Sequence, residues 1–281
     1  MRAAALAAVF LTTLAAASPR ASDFPPTDAL LGKADNPLED LTASGSEVET
    51  DLRDAVSAPP SPAWLMGGLR ASNPADRLAA VHSAAVPRHV SAIPALAAVL
   101  LRLDETPEIR AAAATALGRI GDAVAAPVLG EALHDPAQEV RYAAALALGL
   151  LPADGAATRL TRALRSDPSW YVRYAAVLAL GRVKKGFVVG ALEECLRVEP
   201  KWQIRMLAVR SLQDVGSPRA AEAASLALRD SDSGVRTEAA LALGEIGADS
   251  HLQLLSAAMR VETDLSARSA ESAAFRRLLS K

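Results

Sequence analysis

An arginine recurs along this chain at a spacing that leaves few ways to fold it. Arg110, Arg141, Arg173, Arg205, Arg236 and Arg268 are separated by 31, 32, 32, 31 and 32 residues, and Arg77 lies 33 before the first. Six residues ahead of each of the six stands an acid: Asp104, Asp135, Asp167, Glu199, Asp230 and Glu262. Pro136, Pro168 and Pro200 follow three of them directly, the pairing expected of a helix N-cap and first helical position. Behind the arginine comes an alanine-rich turn, a leucine and usually a glycine, as in Ala144-Ala145-Leu146-Ala147-Leu148-Gly149 and Ala239-Ala240-Leu241-Ala242-Leu243-Gly244. Residues 208 to 213 depart from this, with Gln213 in the glycine slot. A second helical segment follows each first one and ends in pairs such as Ala132-Leu133, Ala163-Leu164 and Ala227-Leu228.

Two helices in about 32 residues cannot bury their apolar stripes alone, so successive units must stack as an α-solenoid. Composition agrees. Apolar residues are 51% of the chain but aromatics only 4%, and the small alanines let neighbouring helices approach closely. A β-rich fold would want more Val, Ile, Thr and aromatics. The expected fold is all-α: a right-handed superhelix of six to seven helical pairs over residues 63–281. The repeat is strongest from about 105 to 260, with degraded units at 64–103 and 261–281 as caps. The motif D-P-x-x-x-V-R-x-x-A-A-x-A-L-G-x-I-G resembles the HEAT-like repeats first described in phycobilisome lyases. The resemblance implies the fold and leaves the activity open, because this repeat serves lyases, glycosylases and plain scaffolds alike.

The chain opens with Met1-Arg2, an apolar run to Leu14 and the small residues Ala15-Ala16-Ala17. The run is too short for a stable membrane span, and the pattern is that of an export signal over residues 1–17, cleaved after Ala17. Residues 18–62 hold seven of the seventeen prolines and a local charge of −6. Weak apolar periodicity there predicts a disordered acidic linker, with a short helix possible only at 47–56. The expected mature protein is soluble, exported to a periplasm or beyond, and has no membrane span.

Net charge is −2 overall and +3 over residues 63–281, so no basic balance invites nucleic acid. Within one helix an acid and an arginine six apart would lie about 240° from each other. Each can instead meet its counterpart on the adjacent repeat. The expectation is therefore a structural ladder of Asp104, Arg110, Asp135, Arg141, Asp167, Arg173, Glu199, Arg205, Asp230 and Arg236. Cys195, the one cysteine, occupies a slot held by Ala132, Ala163, Ala227 and Ala258, which predicts a buried, inert thiol. His82, His89, His134 and His251 form no His-Glu pair of metal-binding spacing, and Gly118 to Gly121 and Gly244 to Gly247 end helices rather than cradle phosphate. No cofactor or metal is expected.

One feature does suggest binding. With each arginine at 0° and 100° per residue, the repeated Val, Ala and Leu positions mark the packed side, from about 240° through 0° to 40°. Positions −3, −2, +1 and +5 lie away from it, at about 60° to 160°. There stand Gln138, Glu139, Tyr142 and Leu146; Trp170, Tyr171, Tyr174 and Leu178; and Trp202, Gln203, Met206 and Arg210. All three tyrosines and two of the three tryptophans of the chain are among them. In proteins that resemble this repeat, that helix lines the concave side and such positions vary with the ligand. The sequence thus predicts a non-catalytic, extracytoplasmic scaffold that binds a protein or peptide partner. A lyase-like or cofactor-handling protein is the alternative, and DNA binding a weaker one.

Overall fold

The computed structural model describes residues 62–85, 90–152, 154–183 and 188–280. The export signal of residues 1–17, the body of the acidic linker and His89 lie outside them.

Helices follow one another throughout, joined by short turns. They are α1 (Pro62–Leu69), α2 (Pro74–Ala84), α3 (Ile93–Leu100), α4 (Pro107–Ile120), α5 (Ala126–Ala132), α6 (Gln138–Leu150) and α7 (Asp154–Ser166). Then come α8 (Trp170–Val183), α9 (Val189–Val198), α10 (Trp202–Val215), α11 (Pro218–Ser225), α12 (Ser233–Ile246), α13 (Leu252–Val261) and α14 (Leu265–Leu279). The even-numbered helices from α2 on carry the repeated arginine. Each packs on the next even-numbered helix and on the odd-numbered helix that precedes it, so the fold is a two-layered α-solenoid. One apolar core runs its length, built from small residues and leucine: Ala113, Ala144, Ala176, Ala208 and Ala239 are all fully buried, as are Leu117, Leu148, Leu180, Leu212 and Leu243.

The glycine slot explains why the even layer is tight. A Cβ placed on Gly149 would meet the Ala179 Cβ at 2.7 Å, and one on Gly118 would meet Ala147 at 2.8 Å. At Gly181 the obstruction is Ser211, again at 2.7 Å. Each glycine thus sits where one even-numbered helix crosses the next. Only a residue without a Cβ fits there, which outweighs the poor helix propensity of glycine. The odd-numbered helices touch one another far less. The even-numbered helices are thus the more closely spaced of the two layers.

The acid–proline pairs do not cap helices as the sequence suggested. α6 starts at Gln138, α8 at Trp170 and α10 at Trp202, each two residues after the proline. The carboxylates are otherwise engaged. Asp135 accepts from the Ala137 N–H at 2.8 Å, Asp167 from Ser169 at 2.9 Å and Glu199 from Lys201 at 3.1 Å, forming a turn ahead of the helix. Proper caps occur elsewhere: Thr106 with Pro107 opens α4, Ser217 with Pro218 opens α11, and Asp264 opens α14. α4 ends at Gly121 and α10 at Gly216, both in the left-handed region with φ of 75° and 65°.

Candidate functional site

Two features run along the even-numbered helices, an ionic ladder and an aromatic face, and the first determines how much charge the second can show. In the ladder, each arginine grips two repeats at once. Arg141 donates from Nε and Nη2 to the two Asp167 carboxylate oxygens at 2.8 and 3.1 Å, and from Nη1 to the carbonyls of Asp135 and Pro136 at 3.0 and 3.2 Å. Arg173 does the same with Glu199 (2.9 and 2.9 Å) and the carbonyls of Asp167 and Pro168 (3.0 and 3.3 Å). Arg110 takes Asp135, Arg205 takes Asp230 and Arg236 takes Glu262, all bidentate. The fork of a guanidinium suits this arrangement, since two N–H groups match the carboxylate and the third is left for the loop. Arg141, Arg173, Arg205 and Arg236 therefore do bond the residue six before them, but through that acid's backbone carbonyl, whereas Arg110 bonds the carbonyls of Leu103 and Glu105.

Asp104 stands outside the ladder. Its side chain is exposed and lies 3.6 Å from Arg102, while the neighbouring Glu105, buried, pairs with Arg77 and with Arg102. The other loops carry Pro, Ser or Thr where Glu105 stands; here the longer acid fills that place and takes the rung. The arginines hold Glu105 and Glu262 down to about 2. Arg268, exposed on α14, makes no rung among the described residues. With its positive charges matched in this way, the row offers no phosphate-binding stripe.

The aromatic side chains lie on α6, α8 and α10. Tyr142, Trp170, Tyr174, Leu178, Trp202 and Met206 are half-buried, packed against the core with one side left to solvent. Trp170 and Tyr171 stack with ring centroids 3.9 Å apart. Burial pushes the Tyr142 phenol up to about 12, and raises Tyr174 against the opposing pull of Arg210. Arg210 is itself held by Glu238 of α12 at 2.8 and 3.2 Å. Gln138 accepts from the Ser169 hydroxyl at 2.9 Å, which fastens α6 to the start of α8, and Glu139 is half-buried beside it.

Two residues expected on this face are inside instead. Leu146 is buried, and so is Gln203, whose Oε1 has no hydrogen-bond partner among the described residues. Both occupy the margin of the stripe, at about 140° and 160°, where the next helix of a tightly spaced layer overlaps it.

The remaining chemistry-bearing groups do not gather. Cys195 is buried, and burial pushes its thiol up to about 12, so it holds no thiolate near neutral pH. His82 is half-buried and its pKa lowered, chiefly by burial and also by Arg119. His134 is exposed; His251 is buried, its Nδ1 accepting from the Ala248 N–H. Among the described residues there is no metal-holding group of His, Cys, Asp and Glu, and no helix long and apolar enough to cross a membrane.

A solenoid of paired helices about 32 residues long, stapled by one arginine per unit, defines a class of stacked-repeat proteins. A family model described as HEAT repeats matches residues 62–149, 126–206 and 189–274, and the chain belongs to that family. No curated protein matches it in sequence. Among solved structures, YibA from Escherichia coli is similar at 18% identity over 92% of this chain and 93% of that one, with a TM-score of 0.55. A phycocyanin lyase complex of CpcE and CpcF from a Nostoc species matches at 21% identity, over 79% and 96%, with a TM-score of 0.47. Human deoxyhypusine hydroxylase matches at 24%, over 90% and 96%, with a TM-score of 0.40. At these identities the likeness concerns the fold alone.

Proposed function

We propose that this protein is a non-catalytic scaffold that works outside the cytoplasm and holds a protein or peptide partner on the aromatic face of α6, α8 and α10. The observation that carries this reading is the concentration of half-exposed aromatic and apolar side chains on three consecutive first helices. Such positions in a solenoid are ordinarily polar, and large aromatic anchors with a neutralised surrounding are the usual source of binding energy. The ladder supports the same reading. It supplies a rigid backing that leaves the face preformed, so little ordering accompanies binding. Among the described residues a catalytic reading finds little support, since the buried thiol is protonated and His82, His134 and His251 are scattered.

The test is capture of partners from the exported fraction, where the mature chain should begin near Ser18. Trp170→Ala with Trp202→Ala should reduce capture at least tenfold while the melting temperature falls by only a few degrees. Photo-crosslinking from Tyr171 should trap the same partner, and crosslinking from the exposed Val198 on α9 should not. If the double variant unfolds, the rings belong to the core. If it folds and binds unchanged, the face is not the site.

A further inference from the structure

Three residues after each repeated arginine lies the deepest slot of the even layer. Ala80, Ala113, Ala144, Ala176, Ala208 and Ala239 fill it in turn, each at most 1% exposed. In α14 the same slot holds Glu271. It is fully buried, at 0% exposure, and neither carboxylate oxygen has a hydrogen-bond partner among the described residues. An ionised carboxylate in that position has lost its water and gained no donor, which strongly favours the neutral acid.

The charged groups that face it are few. Arg236 approaches from α12, Glu262 from the turn between α13 and α14, and Arg268 from α14 itself. The other charged residues of α12 are occupied elsewhere, Glu238 with Arg210 and Glu245 with Arg277. On α13 the one charged side chain, Arg260, is exposed. Glu271 therefore sits beside the Arg236–Glu262 rung, the last of the ladder. That rung positions the start of α14, because Glu262 also accepts from the N–H groups of Thr263 and Asp264 at 2.9 and 2.8 Å.

We propose that α14 is a proton-dependent latch on the end of the stack, closed over α12 while Glu271 is neutral and loosened when Glu271 ionises. The ionised form sets a second negative charge beside Glu262 and competes with it for Arg236. The last rung weakens, and the α12 surface around Gly244, now covered by Ala274, opens to solvent. Burial, with Glu262 adding to it, raises the Glu271 carboxyl from 4.5 to about 6 against the pull of Arg236 and Arg268. Because the folded value is the higher one, the closed state is fully favoured below about 4.5 and weakens as pH rises through about 6.

Hydrogen exchange of the full chain between pH 5 and pH 8, corrected for intrinsic rates, tests this. The opening constant of the amides in residues 265–279 should rise by about eightfold across that range, while α6 and α8 stay unchanged. Glu271→Gln and Glu271→Ala should both abolish the rise, the second by restoring the residue found in every other repeat. Exchange in α14 that ignores pH in the wild type overturns the proposal. So does a rise that survives in both variants, which would assign it to another group.

Discussion

Replacing Arg173 with alanine tests the ladder where it is best defined. The substitution removes two hydrogen bonds of 2.9 Å to Glu199 and two bonds to the loop carbonyls of Asp167 and Pro168. The Glu199 side chain is only 4% exposed, and afterwards it keeps a single donor, the Lys201 N–H. Breaking a buried pair from one side costs about 3–5 kcal/mol, and a hydrogen bond to a charged group about 1.5–3 kcal/mol. Arg173 retains some contact with water, so water can reach part of the vacated space. The expected loss is thus about 3 kcal/mol, or roughly 6–10 °C if the array melts as one unit. Urea denaturation followed by circular dichroism gives the value, and Glu199→Ala with the double variant completes a cycle that isolates the coupling. Additive single losses would show that the pair is not coupled. An unchanged midpoint together with loss of polyanion binding would show that the arginines serve a ligand instead.

Two further outcomes follow from the packing and the charges. Gly149→Ala should destabilise by about 1–3 kcal/mol, because the clash with Ala179 exceeds the helix propensity gained; a thermal melt that rises instead would refute the close crossing of α6 and α8. Acid should weaken the ladder with the opposite sign to Glu271. Glu105 and Glu262 are held near 2 by their arginines, so their contribution is present above about 4.5 and lost as pH falls toward 2. Melts between pH 2 and 5 should show this limb flattened in Glu105→Gln, and an identical limb in that variant would contradict it.

The fold could be read from periodicity because each repeat buries the same slots, so one misread unit is outvoted by five others. The pairing of Arg110 through Arg236 with the next repeat's acid followed from the angle argument, although the acids lie in turns rather than in the helices. Glu105 was missed because Asp104 keeps the regular spacing, and only side-chain length and the missing loop proline favour its neighbour. Leu146 and Gln203 were misplaced because a helical wheel knows one helix, whereas burial at its margin depends on how closely the next one crosses. Glu271 was visible as an acid in an alanine slot, but its solitude depends on which donors surround it in three dimensions.

The staple also bears on how such a gene can change length. Every arginine of the ladder binds the loop before its own helix and the acid of the following unit, so all the information needed to join two neighbours lies within one repeat and the edge of the next. A copy inserted or lost in phase by unequal crossing-over presents the same two half-joints at either cut, whether the acid is Asp or Glu. The protein can therefore be lengthened or shortened by whole units without redesigning any junction, while an out-of-phase event leaves an arginine facing the wrong loop.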